Sequence, residues 1–409
     1  MSSSMSFRKL AIVLAVGSFL TGVNLFGLNP FLATIAADLG SSVGVIGQAT
    51  TAALIIAALT ALILGPVSDH WGFRNMLIVG ALVMALSNVG TALAFNEWSL
   101  ILARGPAGIS AGVLSALAIG TLDAERSKAD QDERRAAITW LESAGALAVI
   151  AGVPLLTLIG DFTHWRTVSF LIAICSAALA LVYARVVPNV KIGPAGKLSL
   201  SYVFDCYRGV VQNRGVVFLQ GANLLFSMAG IGSVTYFGAH LMETTDVSLR
   251  AVGMQFTWLG VGFVSGNRLV VPLARRFPQR HVMIVLGGAI AGLLVLFFLF
   301  ATHLFEFMLV SGLFSICVGI AIPLVTIMII EKAGAASGTV VMLRQCTSDT
   351  GAGLGAGVGG LLIGIGGYPS AGVAFAAAAV LGAALVWLGS WARPAQGPAD
   401  VAPSSPGPT

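Results

Sequence analysis

Long runs of apolar residues, separated by short polar clusters, set the pattern of this chain. A bilayer core about 30 Å thick is crossed by a helix of about 20 such residues. Twelve spans of that kind are predicted. In the first half they lie at about residues 10–35, 43–64, 76–95, 98–122, 138–159 and 167–186. In the second half they lie at about residues 215–241, 251–271, 282–301, 307–330, 339–362 and 370–391. The first run exceeds the 7–15 residue core of a signal peptide and lacks a clear cleavage pattern, so it is read as a retained first span. The predicted fold class is an all-α polytopic membrane protein with twelve transmembrane helices.

The longest polar interruption, residues 187–213, carries Pro188, Gly193, Pro194 and Gly196 and is read as a cytoplasmic linker. It divides an N-terminal six-helix bundle, 1–186, from a C-terminal one, 214–391. Residues 392–409, rich in Pro, Ala, Ser and Gly, are predicted to be a disordered cytoplasmic tail.

Composition narrows the class further. Of 409 residues, 57% are hydrophobic and only 10% charged, against roughly 45–50% and 25% in soluble domains. Neither a soluble globule nor a disordered chain fits. The net charge of +5 is spread too thinly for a nucleic-acid surface. Four scattered cysteines suggest neither a disulfide framework nor a zinc site. The 50 glycines suit closely packed membrane helices.

The basic residues also set an orientation. With both termini cytoplasmic, only Arg166 and Arg250 of the 22 basic residues fall outside, and only Arg104 and Arg344 lie within spans. The positive-inside rule selects that orientation, in the inner (plasma) membrane.

The two halves read as a duplication. Phe19-Leu-Thr-Gly-Val-Asn-Leu25 aligns with Phe218-Leu-Gln-Gly-Ala-Asn-Leu224, in the first span of each half. The loop after the second span repeats too, from Pro66 to Trp71 against Pro272 to Phe277, with Arg74 on Arg280. Duplication of a bundle with an even number of spans keeps both copies in one orientation, with a cleft between them. Such repeats are a common transporter design.

Gly65, Asp69, Gly72 and Arg74, between spans two and three, resemble motif A of the major facilitator superfamily. Arg104 and Gly108 look like its second motif. Gly152-Val-Pro154-Leu, followed by Gly160, Trp165, Arg166 and Phe170, is similar to spans five and six of its drug:proton antiporter and arabinose-efflux-permease-like branch. Phe73 stands where that family usually has an arginine, and Arg275 takes the acidic place in the second-half copy. The resemblance implies a two-bundle secondary transporter working by alternating access. It also implies that Asp69, Arg74 and Asp123 form a cytoplasmic charge network that stabilises the outward-facing state.

Within the spans, few groups carry charge. An ionised side chain in hydrocarbon costs about 2.5–3.5 kcal/mol on insertion scales, so such groups mark ion or substrate paths. Asp349, about 14 Å into span eleven, is the first candidate for a protonatable coupling site. Desolvation disfavours the charged form of a carboxyl, which suits one to proton exchange near neutral pH. The alternative is a structural hydrogen-bonding role beside Arg344. The resemblance assigns Arg104 to proton transfer; anion binding and a structural role stay open beside it. Glu142 is a further coupling candidate. With Arg268, on span eight, it is also read as a latch across the inner mouth, the alternative being two solvated charges.

Asn24, Asn29, Gln220 and Asn223, in the first span of each half, are candidates to line the substrate cleft with Arg344, or else to bond between helices. Gly351, Gly355 and Gly359 form one stripe on span eleven, and Gly353 and Gly357 another. Small residues four apart permit close helix approach. Pro154 and Pro323 remove backbone hydrogen bonds and bend their helices.

Nothing reads as catalysis. The five histidines lack ligand spacing, and no Gly-rich Lys-Ser/Thr phosphate loop is present. The expectation is a monomeric exporter with no cofactor and no metal, exchanging a small amphipathic drug-like or sugar-like solute for protons. Alternatives are uptake by proton symport or facilitated diffusion, of an anion among others, and a transporter-like receptor without turnover.

Overall fold

A computed structural model describes residues 7–124, 131–188, 213–333 and 338–391. Among them every regular element is helical. Span 1 is Phe7–Phe26, continued by the short helices Asn29–Phe31 and Leu32–Asp38. Span 2 is Val43–Ile46 followed by Gln48–Trp71, span 3 Phe73–Ala92 and span 4 Glu97–Ala124. Span 5 runs from Gln131 to Leu147, passes through a π-turn at Ala148–Gly152 and ends as Val153–Phe162. Span 6 is Trp165–Val186.

The second half follows the same order. Span 7 is Arg214–Ser227, a π-turn at Met228–Gly232, and Ser233–Thr245. Span 8 is Leu249–Arg276, span 9 Gln279–Val295 with a π-turn at Leu296–Phe300, and span 10 Leu304–Ala333. Spans 11 and 12 share the continuous stretch Gly338–Trp391, which reverses at Gly366 and Gly367. Gly367 has φ 71°, a left-handed conformation that glycine adopts without strain. The reversal is measurable: a Cβ on Gly359 would sit 2.6 Å from the Phe375 ring, whereas a straight helix would hold those residues about 24 Å apart.

Ten stretches are long and apolar enough to cross a membrane. One of them is Met342–Trp391, which holds two spans. Leu249–Arg276 is not among the ten, because Gln255, Asn267, Arg268 and the arginines at its end dilute its apolar content. With it the membrane spans among the described residues number twelve, as the sequence predicts. The predicted linker falls, from residue 189 to 212, outside the described residues, as does the tail 392–409.

Contacts between the halves collect at one end. The largest buried apolar cluster runs from Phe31, Leu32 and Val153 of the first half into Tyr236, Phe237 and Val252 of the second. At the end where span 1 starts, the first half keeps a separate cluster built on Phe7, Leu14, Leu77, Leu117 and Tyr183. At the joined end, glycines bring backbones together. A Cβ on Gly44 of span 2 would strike the Gly360 backbone of span 11, and one on Gly357 would lie 3.2 Å from Thr51. The Gln48 amide of span 2 donates to the Gly357 carbonyl at 3.1 Å. Arg250 of span 8 pairs with Asp161 of span 5 at 2.5 Å.

Pro154 contributes to the same joint. It has no N–H to offer the carbonyl four residues back, that of Ile150. The Thr257 hydroxyl of span 8 donates to that carbonyl at 3.1 Å. Sequence alone expects a bend at Pro154; the structure shows a π-turn there and a partner from the other half.

Gly360→Val is expected to cost about 1–3 kcal/mol by overpacking this joint. The check is the thermal midpoint in detergent against Gly364→Val, since nothing lies within 4 Å of a Cβ at Gly364.

Candidate functional site

Among the described residues, two polar clusters and the Asp349 carboxylate lie within the spans. In the first half, Arg104 of span 4 is buried, at 2% exposure. Its guanidinium donates to the Asn24 side-chain oxygen at 3.2 Å and to the Asn24 backbone carbonyl at 2.8 Å. The backbone contact has a local cause. The helix ends at Phe26, so the carbonyls of its last turn have no N–H partner within the helix. Asn88 of span 3 donates to the same Asn24 oxygen at 2.8 Å and to the Met84 carbonyl at 2.9 Å. Among the described residues no carboxylate pairs with Arg104. The Nδ2 of Asn24 and the Nε of Arg104 are buried without a hydrogen-bond acceptor.

The second half has an uncharged counterpart. The amide of Asn223 in span 7 donates to the Arg344 carbonyl at 3.0 Å and to the Thr347 hydroxyl at 2.9 Å, both on span 11. Thr347 lies 2.8 Å from the Gln220 side-chain oxygen. One turn along, the Ser227 and Ser348 hydroxyls are 2.9 Å apart. Gln220 and Asn223 are buried.

Span 11 carries the acidic group. Residues 345, 349, 353 and 357 stand four apart and therefore share one helix face. Gly353 and Gly357 on that face pack against span 2 of the other half, a Cβ on Gly353 lying 3.0 Å from Ile55. Moving toward the start of the span, the glycines give way to Asp349, half-buried, and Gln345, exposed. The Gln345 amide donates to the Asp349 carboxylate at 2.9 Å, and Arg344 donates to the Gln345 oxygen at 2.7 Å. Asp349 thus continues the face along which span 11 meets span 2 of the other half.

The other predicted residues are distributed as follows. Asn29 is buried and accepts from Thr50 at 3.3 Å, inside the first half. Gly72 opens span 3 with φ 77°, a conformation suited to glycine, and Phe73 after it is buried. Arg74 donates to the Ala184 carbonyl at the end of span 6. Gly152 closes the π-turn of span 5 against Val23 and Phe19 of span 1. Arg268 is exposed. Gly65 is helical, near the end of span 2, and the side chains of Asp69, Asp123 and Glu142 lie outside the described residues.

Sequence reasoning missed Asn88, Gln345, Thr347, Thr257 and Gln48. Only Gln345 had a readable signal, its position one helical turn before Asp349. It also missed the end cluster in which Asp38 accepts from Arg166 and from the Trp165 ring at 3.2 Å.

The sequence profile of the Major Facilitator Superfamily matches residues 14–204 and 221–406. The putative transporter AraJ of Escherichia coli (strain K12) is 24% identical, over 88% of this chain and 89% of its own length. The methylenomycin A resistance protein of Bacillus subtilis (strain 168) is 25% identical, over 95% of each chain. The crystal structure of the nucleoside transporter NupG superposes with a TM-score of 0.73 at 17% identity, covering 94% of this chain and 100% of that one.

Asn24→Ala removes the side-chain acceptor that Arg104 and Asn88 share, and is expected to cost about 1–3 kcal/mol, the desolvation of a buried polar group left unpaired. Asn24→Asp keeps both acceptor oxygens and adds a countercharge, so its thermal midpoint in detergent should lie well above that of Asn24→Ala.

Proposed function

The chain belongs to the Major Facilitator Superfamily, and from that premise we propose that it exports a small amphipathic solute, drug-like or sugar-like, in exchange for protons by alternating access. It is a multi-pass membrane transporter and not an enzyme. The name of the methylenomycin A resistance protein supports the direction of export. We place both termini in the cytoplasm of the inner membrane, on the distribution of basic residues. The joined end of the two halves is then the outer one.

The observation that carries the proton assignment is the place of Asp349. It stands on the face of span 11 that carries Gly353 and Gly357 against the other half, half-buried and one helical turn from the exposed Gln345. A carboxyl there passes between the two access states as the bundles rock, without moving far itself. In its charged form it accepts from Gln345. Proton binding replaces one acceptor with a donor, which changes what the Arg344–Gln345–Asp349 chain can hold. A ligand or proton shifts a two-state equilibrium only through its different affinity for the two states, and this chain supplies such a difference.

Arg104, Asn24 and Asn223 hold the first helix of each half in register, and their buried unpaired atoms support a role in solute recognition. In the outward-facing state, Glu142 and Arg268 pair across the inner mouth. The exposure of Arg268 in the present state supports that reading. Asp69, Arg74 and Asp123 form the remaining inner network, with the protein acting as a monomer.

In proteoliposomes with a pH-sensitive dye inside, wild type should show proton movement on addition of a transported solute, and Asp349→Asn should lose it by tenfold or more, on the order of a lost essential acid–base group. Solute flux that survives the substitution without proton movement overturns the coupling assignment in favour of a facilitator. Solute binding with no flux in wild type points to a receptor instead.

A further inference from the structure

We propose that the seam between spans 9 and 12 is a binding site for the headgroup of an anionic phospholipid. Arg280 opens span 9, and its guanidinium carbon lies 5.5 Å from the ring centroid of Trp387 and 5.2 Å from that of Trp391. The two indoles meet edge to face, 5.8 Å apart. His281 closes the group, 6.1 Å from Trp387. The planar cation is therefore held over two rings near the end of the last span.

Its charge is uncompensated. Among the described residues Arg280 makes no ion pair and no hydrogen bond, and the neighbouring Glu331 carboxylate accepts from Gln279 instead. Arg275 and Arg276, at the end of span 8, are both exposed. A guanidinium fixed by its faces keeps its N–H edge free, and that edge matches the oxygens of a phosphate.

The occupant is a membrane lipid because the site lies on the lipid-facing wall at helix ends. Trp391 is 64% exposed and Trp387 38%, and indoles with one polar end favour the headgroup level of a bilayer. One turn deeper on span 9, Ile284 is exposed, and so is Val380 two turns deeper on span 12. These residues continue the seam as an apolar track for acyl chains below the cation. Phosphatidylglycerol offers the negative charge, whereas the choline of phosphatidylcholine cancels it. This inference is independent of the transported solute and of Asp349.

The test is native mass spectrometry of the full chain in detergent, titrated with short-chain phosphatidylglycerol or phosphatidylcholine. Wild type should bind phosphatidylglycerol more tightly. Arg280→Gln should weaken that binding about fivefold, as expected for one basic contact near an anionic surface, and leave phosphatidylcholine unchanged. Arg214→Gln, an exposed arginine without an aromatic platform among the described residues, should stay within about twofold of wild type. Equal affinity of wild type for the two lipids overturns the proposal. So does unchanged phosphatidylglycerol binding in Arg280→Gln, and that variant's retained helicity by circular dichroism shows that a loss belongs to the site rather than to the fold.

Discussion

The close approach of backbones at glycine between spans 2 and 11 is the constraint on which the rest of the structure depends. In hydrocarbon, apolar side chains gain little by leaving lipid for each other, so helices associate where small residues let them pack and hydrogen-bond. Gly44 against Gly360, and Gly353 and Gly357 against the span 2 side chains, provide that approach. Once the helices are this near, the Gln48 amide reaches the Gly357 carbonyl and becomes a link between halves. On the other side of the molecule, Pro154 frees a carbonyl of span 5 that Thr257 of span 8 then satisfies. Both joints lie at the end of the molecule where the two halves share one buried apolar cluster.

Interior polarity obeys the same rule that nothing buried stays unsatisfied without cost. The repeat keeps an asparagine at one place in each half, yet uses it in opposite ways. Asn24 accepts from a cation on span 4, while Asn223 donates to a carbonyl and a hydroxyl on span 11. Duplication thus retained a residue that bonds in either direction and let its partners diverge. The half with Arg104 gained a fixed charge, and the other half placed its acid, Asp349, on the surface between the bundles.

The spans were legible in the sequence because hydropathy alone encodes them; the observed helices extend most predicted ones by only a few residues. The π-turns at Met228–Gly232 and Leu296–Phe300 were not legible, since no proline marks them. Candidate site residues stand out where a polar group interrupts an apolar run, as at Asn24, Arg104, Asn223 and Asp349. Their partners do not, because helix packing brings together positions distant in sequence. Arg104 lies 80 residues from Asn24, and Arg250 lies 89 from Asp161. Spacing of four is the exception, visible within one helix, and it links Gln345 with Asp349.

The joined end is strong enough to hold one state and weak enough to release it. Opening it breaks the bonds at Gln48 and Thr257, each worth about 0.5–1.5 kcal/mol net. The Arg250–Asp161 pair has an arginine side chain 50% exposed, and a pair so open to solvent adds about 0–1 kcal/mol. The polar links therefore total a few kcal/mol, beside the buried apolar cluster that the two halves share. One elementary charge crossing a membrane potential of about 100 mV releases about 2.3 kcal/mol. The two quantities are comparable. Under the proposed mechanism, one proton carried by a single carboxyl thus supplies a free energy of the order of the polar links at the joined end.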